Sequence, residues 1–275
     1  MKQIIFLILI SAASLFAYAD NDLDGVEDSL DRCPNSAMTD IVDIQGCPLK
    51  SLVSEHHFDI IVGASYEEER DIEFVDKIRT TTESLQIDYY YKNFSLQMMS
   101  SYYQTDIDYD GTLSDTDDSG MNDTTIAAFY QVLATPSFAV RLGAGVILPT
   151  YDSSLDNEST DYLASINLSY AFDDFSVFGG YTYTIINDDD VGFIQYQDTN
   201  AISGGVGYYI SPEIYASLSY FRSDSIYKDV DDTESASAYV FYSLTPNWFT
   251  TVSYSKGFSD PTSDDYVALR VGYYF

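Results

Sequence analysis

The chain has 275 residues, with 12 Lys+Arg against 44 Asp+Glu and a formal net charge of -32. That balance excludes nucleic acid as a partner, because nothing could neutralise a row of phosphates. Apolar residues make up 45%, too many for a disordered acidic tail, and 26 Tyr with 16 Phe point to strands with amphipathic surfaces. Two Cys and two His leave little material for a transition-metal site. After the first twenty residues no apolar run is long enough for a spanning helix.

Met1-Lys2-Gln3 is a short basic start, followed by the apolar stretch Ile4 to Phe16 and the small-x-small site Ala17-Tyr18-Ala19. This is the pattern of a secretory signal peptide over residues 1–19, cleaved after Ala19. Cleavage removes one of the few basic residues, so the mature chain is more acidic still. Export also makes the two Cys readable as a disulfide rather than a cytosolic redox pair.

Residues 20–34 read D-N-D-L-D-G-V-E-D-S-L-D-R-C-P. Asp20, Asp22, Asp24, Gly25, Asp28 and Asp31 fall at positions 1, 3, 5, 6, 9 and 12 of a calcium loop, and Val26 at position 7 would donate its carbonyl oxygen. Alternate carboxylates converge on one cation, and Gly25 permits the sharp turn between them. An EF-hand would close with Glu and carry flanking helices, and neither is present. Instead Cys33-Pro34 follows at once, and Gly46-Cys47-Pro48 repeats the ending.

This D-x-D-x-D-G-x-x-D-x-x-D-x-C-P pattern with a trailing G-C-P resembles the thrombospondin type 3 repeat over residues 20–48. The resemblance implies that Asp20, Asp22, Asp24, Val26, Asp28 and Asp31 hold Ca²⁺ and that Cys33 pairs with Cys47. In bacteria such repeats often sit beside outer-membrane barrels as the linker of porin-like proteins with a peptidoglycan-binding domain. Here no such domain follows and the repeat precedes the barrel, so wall tethering does not carry over. A solvated acidic linker is the plainer reading of residues 20–50.

From His56 onward the chain has period two. Val267, Leu269, Val271, Tyr273 and Phe275 alternate with Ala268, Arg270, Gly272 and Tyr274, and the segments 138–148 and 214–221 repeat the scheme. A soluble sandwich could alternate in the same way. The connections decide between them. Short turns are expected at Lys92-Asn93, Thr135-Pro136-Ser137, Asp173-Asp174, Ser211-Pro212-Glu213 and Thr245-Pro246-Asn247. Between them lie longer, acid-rich connections at 67–76, 106–123, 152–161, 187–197, 224–234 and 258–265. Five turns on one side and six loops on the other predict an all-β, twelve-stranded antiparallel up-and-down transmembrane β-barrel over residues 56–275.

Aromatic pairs on the apolar face, Phe58 and Tyr66, Phe94 and Tyr102, Phe175 and Tyr183, Trp248 and Tyr254, fit two interfacial girdles. The alternating last strand with Tyr273 and terminal Phe275 resembles the assembly signal of Gram-negative outer-membrane proteins. That likeness implies the outer membrane as the location, with the N-terminal module in the periplasm. It also implies the barrel assembly machinery, membrane lipids and lipopolysaccharide as partners.

The opposite face would line the lumen and includes Asp59, Gln86, Asp88, Ser95, Gln97, Arg141, Ser165, Asn167, Ser203, Gly205, Ser217, Ser253 and Arg270. Asp59 and Arg270 are expected to face each other across the seam of the first and last strands. Catalysis is not expected. His56 and His57 sit together at the rim, no G-x-S-x-G occurs, and the His-Ser pair of barrel phospholipases has no match. The acidic loops concentrate cations above a pore or simply hydrate the surface, and Asp188-Asp189-Asp190 reads as an ordinary solvated run. The expected function is a pore for passive uptake of small neutral or cationic solutes. The alternative is a closed-lumen structural or surface-interaction barrel, and the rotamers of inward rings such as Tyr90, Phe129, Phe178, Tyr209 and Phe241 decide between the two.

Overall fold

Alternation sets the architecture, because strands that are apolar on one face and polar on the other must enclose one of those faces. The computed structural model describes residues 56–72, 75–109, 112–113, 118–135, 137–151, 159–259 and 262–275, together with Val26. The expected signal peptide, the expected calcium ligands Asp20, Asp22, Asp24, Asp28 and Asp31, and the expected pair Cys33 and Cys47 lie outside the described residues.

The first three strands are β1 (His57–Ile72), β2 (Val75–Tyr91) and β3 (Phe94–Tyr109), followed by the short β4 (Thr112–Leu113) and β5 (Asp118–Met121). Then come β6 (Thr124–Ala134), β7 (Phe138–Leu148), β8 (Asp161–Phe172), β9 (Phe175–Ile185) and β10 (Thr199–Ser211). The chain ends with β11 (Ile214–Ser223), β12 (Thr233–Ser243), β13 (Trp248–Gly257) and β14 (Asp265–Tyr274). Setting aside β4 and β5, each strand pairs antiparallel with its neighbours in the chain, and β1 pairs with β14 from Asp59↔Tyr274 to Glu68↔Asp265. The sheet is a closed twelve-stranded barrel, and closure leaves no edge unpaired.

The short turns fall where local chemistry places them. Lys92 and Asp173 take positive φ (55° and 51°), as tight two-residue hairpins require at this position. Thr135 caps its turn by accepting from the Phe138 amide at 3.0 Å, and Thr245 does the same for Trp248 at 3.1 Å.

Two of the long connections are shorter than the sequence suggested. Residues 67–72 and 75–76 are strand and not loop: β1 and β2 continue as a ladder from Glu67↔Thr80 to Ile72↔Val75. The acid-rich stretch is strand because its outward carboxylate meets cations across the ladder. Glu68 is bonded to Arg70 (2.5 Å) and Lys77 (2.9 Å), and Arg70 to Asp265 (2.8 Å). Opposite charges on facing strands stabilise pairing that like charges would oppose. Within 106–123, β5 is the outer end of the fourth barrel wall strand. Its register to β3 (Tyr102↔Met121) is one residue out of step with that of β6 (Met99↔Thr125), so Asn122 and Asp123 form a bulge. Asn122 holds the bend by donating its backbone and side-chain N–H groups to Ser101, each at 2.9 Å.

The outer face carries an exposed apolar belt around the barrel, including Val62, Leu85, Met98, Leu142, Leu168, Val206, Val240, Val252 and Leu269. Rings border it on the turn side (Phe58, Tyr130, Phe172, Phe175, Trp248) and on the loop side (Tyr66, Tyr102, Tyr162, Tyr220, Tyr254). From Phe58 to Tyr66 is about 26 Å along a strand at roughly 3.3 Å per residue, the scale of the roughly 25 Å apolar band of such barrels. A continuous apolar belt of this size, bordered by rings on both sides, matches the lipid-facing surface of transmembrane barrels.

Candidate functional site

The lumen is the enclosed polar space, and its two halves differ in kind. On the arc β14–β1–β2–β3, Asp59 and Asp88 stand directly opposite each other, both inward and buried. The two oxygens of Asp88 accept from Gln86 Nε2 (2.7 Å) and Gln97 Nε2 (2.9 Å). Gln86 Oε1 in turn accepts from Arg270 Nη2 at 2.9 Å. Arg141 crosses from β7, donates to Ser95 Oγ, and lays its guanidinium 4.2 Å above the Phe129 ring. Both guanidiniums lie within electrostatic range of Asp88. Two guanidiniums and two carboxyls share this wall, with its donors and acceptors chained together.

The arc β9–β13 is aromatic. Tyr209 and Tyr215 meet at 4.6 Å between centroids, Phe241 and Phe249 at 5.4 Å, and Phe249 and Tyr274 at 4.7 Å. Ile61 from β1 completes this cluster, and Phe178 and Tyr239 pack against it. Tyr215 is fully buried, and its hydroxyl lies 3.0 Å from Ser176 Oγ. The hydroxyl oxygens of Ser165 and Ser217, also inward, are buried and have no hydrogen-bond partner among the described residues. Buried hydroxyls seldom go unsatisfied, so these two are groups that a lumen water or solute can engage.

Height matters as much as side. Inward residues near the turns are packed, with Asp59, Gln86, Asp88, Ser95, Gln131, Phe241 and Phe249 each under a tenth exposed. Nearer the loops the inward face is mixed: Thr82, Ser84, Ser101, Thr182, Ser203 and Ser253 are half-buried, while Tyr103, Thr199 and Ser237 are each under a tenth exposed. The turn end of the lumen is therefore a packed septum, polar along one wall and aromatic along the other.

Tyrosines gather at the mouth. Tyr103 and Tyr151 meet at 5.6 Å, Tyr196 and Tyr227 at 5.4 Å, and Tyr103 donates to Asp118 at 3.2 Å. Carboxylates organise the loops by accepting backbone N–H groups: Asp123 from Tyr151 (3.0 Å), Asp161 from Asn187 (2.8 Å), Asp188 from Ser159 (3.1 Å) and Asp190 from Tyr196 (3.0 Å). Burial pushes the Asp161 carboxyl up, and the neighbouring carboxylates of Asp188, Asp123 and Asp198 push the same way against the Asn187 amide. Above the outer girdle, hydrogen bonds from Lys77, Arg70 and Tyr66 hold the Glu68 carboxyl down to about 2.

Asp59, Asp88, Arg141 and Arg270 all lie on the inner face, and Asp88 gathers the other polar groups around it. Asp59 and Arg270 do not meet across the seam. Arg270 pairs in register with Gly63, and Asp59 with Tyr274. Asp59 lies beside Tyr90 and opposite Asp88 instead, and Arg270 reaches over Gly63 to Gln86. His56 points outward, stacked between Tyr89 and Tyr91, while His57 faces Tyr90 inside. Tyr273 packs edge-on against Trp248 (4.8 Å) and Phe275 (4.6 Å), and the Phe275 amide donates to Phe58 at 2.9 Å. The sequence reading set Tyr215 on the inward face of the segment 214–221 but missed the mouth tyrosines and Phe249. The signal for how Tyr215 and Phe249 lie was the glycine on the neighbouring strand beside each.

The fold is that of outer-membrane β-barrel channels. An outer-membrane channel of Pseudomonas putida F1 superposes with a TM-score of 0.61 at 12% identity, over 80% of this chain and 95% of that one. The NanC porin gives 0.50 at 14% identity, over 77% and 98%. A deletion mutant of the TodX monoaromatic hydrocarbon channel gives 0.50 at 9% identity, over 80% and 90%. Residues 72–162 match the family model described as a putative MetA-pathway of phenol degradation. No curated protein matches in sequence.

Proposed function

We propose that the protein is an outer-membrane channel for the passive uptake of small neutral or cationic solutes, planar aromatic ones among them. The observation that carries this reading is the divided septum beneath an acidic mouth. A flat solute crossing it meets rings on one side and chained amides and carboxylates on the other. Stacking and hydrogen bonding are both available. The carboxylates above raise the local concentration of cations and repel anions. The family description and the TodX likeness point toward aromatic solutes as well. Catalysis has no part in this reading.

A second reading, a closed-lumen structural barrel, draws on the low exposure of the inward residues near the turns. Conductance of refolded protein in planar bilayers separates the two. Discrete cation-selective steps are expected, and silence across salt and voltage would leave the closed barrel standing.

The N-terminal segment is proposed as a periplasmic calcium module, with Asp20, Asp22, Asp24, Val26, Asp28 and Asp31 as ligands and Cys33–Cys47 as its clasp. Five carboxylates crowded in one loop repel one another until a cation joins them. Titrating the detergent-solubilised full chain with Ca²⁺ is expected to release heat in a one-site isotherm that Asp24→Ala abolishes. An isotherm unchanged by that substitution removes the module. Lipopolysaccharide, facing the outward cations Arg70, Lys77 and Lys256, and the assembly machinery, reading Tyr273 and Phe275, are the proposed partners.

A further inference from the structure

The size of the passage depends on how inward rings lie, and inward glycines decide that. Neighbouring strands are about 4.8 Å apart, so a Phe or Tyr that leans sideways places its far edge over the Cα of the next strand. Only a residue without a Cβ leaves room there. A Cβ at Gly272 would fall 2.0 Å from Phe249 Cζ, 2.3 Å from Cε1 and 2.6 Å from Cε2. At Gly207 it would fall 1.9 Å from Tyr215 Oη, 2.4 Å from Cζ and 2.5 Å from Ser176 Oγ. The same arrangement recurs where Phe178 covers Gly205 and Phe129 covers Gly143.

We propose that Gly207 and Gly272 are aperture-setting residues of the channel, each the seat on which one ring of the septum lies against the barrel wall. The inference rests on the channel reading and adds to it which residues fix the bore. Phe249 lies across β14 and Tyr215 across β10, so each ring occupies wall area rather than lumen. At both seats the three nearest atoms all belong to side chains, so a methyl group there presses on the ring before it presses on the ladder. At Gly205, by contrast, the backbone oxygen of Leu218 stands 2.5 Å from the same point, and the strand itself would have to move. Phe249 is flanked by Phe241 and Tyr274, and Tyr215 by Tyr209. A displaced ring therefore turns toward the lumen axis, where it narrows and dries the septum.

Single-channel conductance tests this with Gly272→Ala, Gly207→Ala, Phe249→Ala and the double variant Gly272→Ala/Phe249→Ala. Each glycine substitution is expected to lower conductance by about threefold or more, because an apolar constriction dewets steeply as it narrows. The double variant is expected to return to the wild-type level or above it, since the displaced ring is gone. A conducting wild type with unchanged Gly272→Ala and Gly207→Ala overturns the seats and leaves the channel standing. If the glycine variants fail to fold, as read by heat-modifiable migration, the double variant carries the test alone: folding with wild-type conductance supports the seat at Gly272, and failure to fold overturns it. A silent wild type refutes the channel and the aperture assignment with it.

Discussion

Asp88→Ala should destabilise the barrel by about 3–5 kcal/mol, the cost of removing one member of a buried ionic network. Asp88 is 4% exposed and uses both carboxylate oxygens, one on Gln86 and one on Gln97. Without it the buried amide of Gln86 and the half-buried amide of Gln97 lose their acceptor, and Gln86 is also the group that receives Arg270. Arg141 and Arg270 then keep Asp59 as the one carboxylate of this wall. An unpaired charge in a low-dielectric lumen costs more than the pair contributes when it is intact. Asp88→Asn keeps one acceptor oxygen and should fall between the two. Asp189→Ala, in an exposed loop, should change stability by no more than about 0.5 kcal/mol. Urea unfolding of the protein refolded into vesicles measures all three. If Asp88→Ala unfolds at the same urea concentration as Asp189→Ala, the network does not hold the wall.

Whatever is local in this fold could be read from the sequence. Lys92-Asn93 and Asp173-Asp174 mark hairpins because turn geometry depends on two residues, and parity alone assigns Asp59, Asp88, Arg141 and Arg270 to the inner face. Height is another matter. β1 and β14 are not joined by a turn, so their register follows from the stagger of the whole barrel. That is why Arg270 lies opposite Gly63, with Asp59 further toward the turns. The hairpin over 67–76 looked like a loop because its acids read as a charged run. Only the ladder shows Glu68 facing Arg79 on one side and Asp265 on the other. The rings were hidden for the same reason. Whether Phe249 stands in the lumen or lies on the wall is decided by Gly272, a residue 23 positions away that reaches it only through pairing.

The lipid-facing belt makes the other large prediction, and one strand contains both the test and its control. Leu269 points outward at 55% exposure, in register with Val252 on one side and Ala64 on the other. Along β14 it lies between Val267, level with the girdle residue Tyr254, and Tyr273 beside Trp248. An arginine there must shed its hydration or drag water and headgroups into the apolar band. Leu269→Arg should therefore cost about 2–4 kcal/mol, as charges near the midplane of such barrels do. The native sequence already carries an arginine one residue on, at 270, where the opposite parity turns it into the lumen to meet Gln86. The penalty thus belongs to the face and not to the strand. Tyr254→Arg, at the girdle, should lose only about 0–1 kcal/mol of the charge-related term, because near the interface the guanidinium can reach water. Folding yield into phospholipid vesicles and urea unfolding are the readouts. Equal stability of Leu269→Arg and wild type, or folding of either without lipid or detergent, would mean that the belt does not face acyl chains. The barrel would then enclose its polar face for a reason other than crossing a membrane.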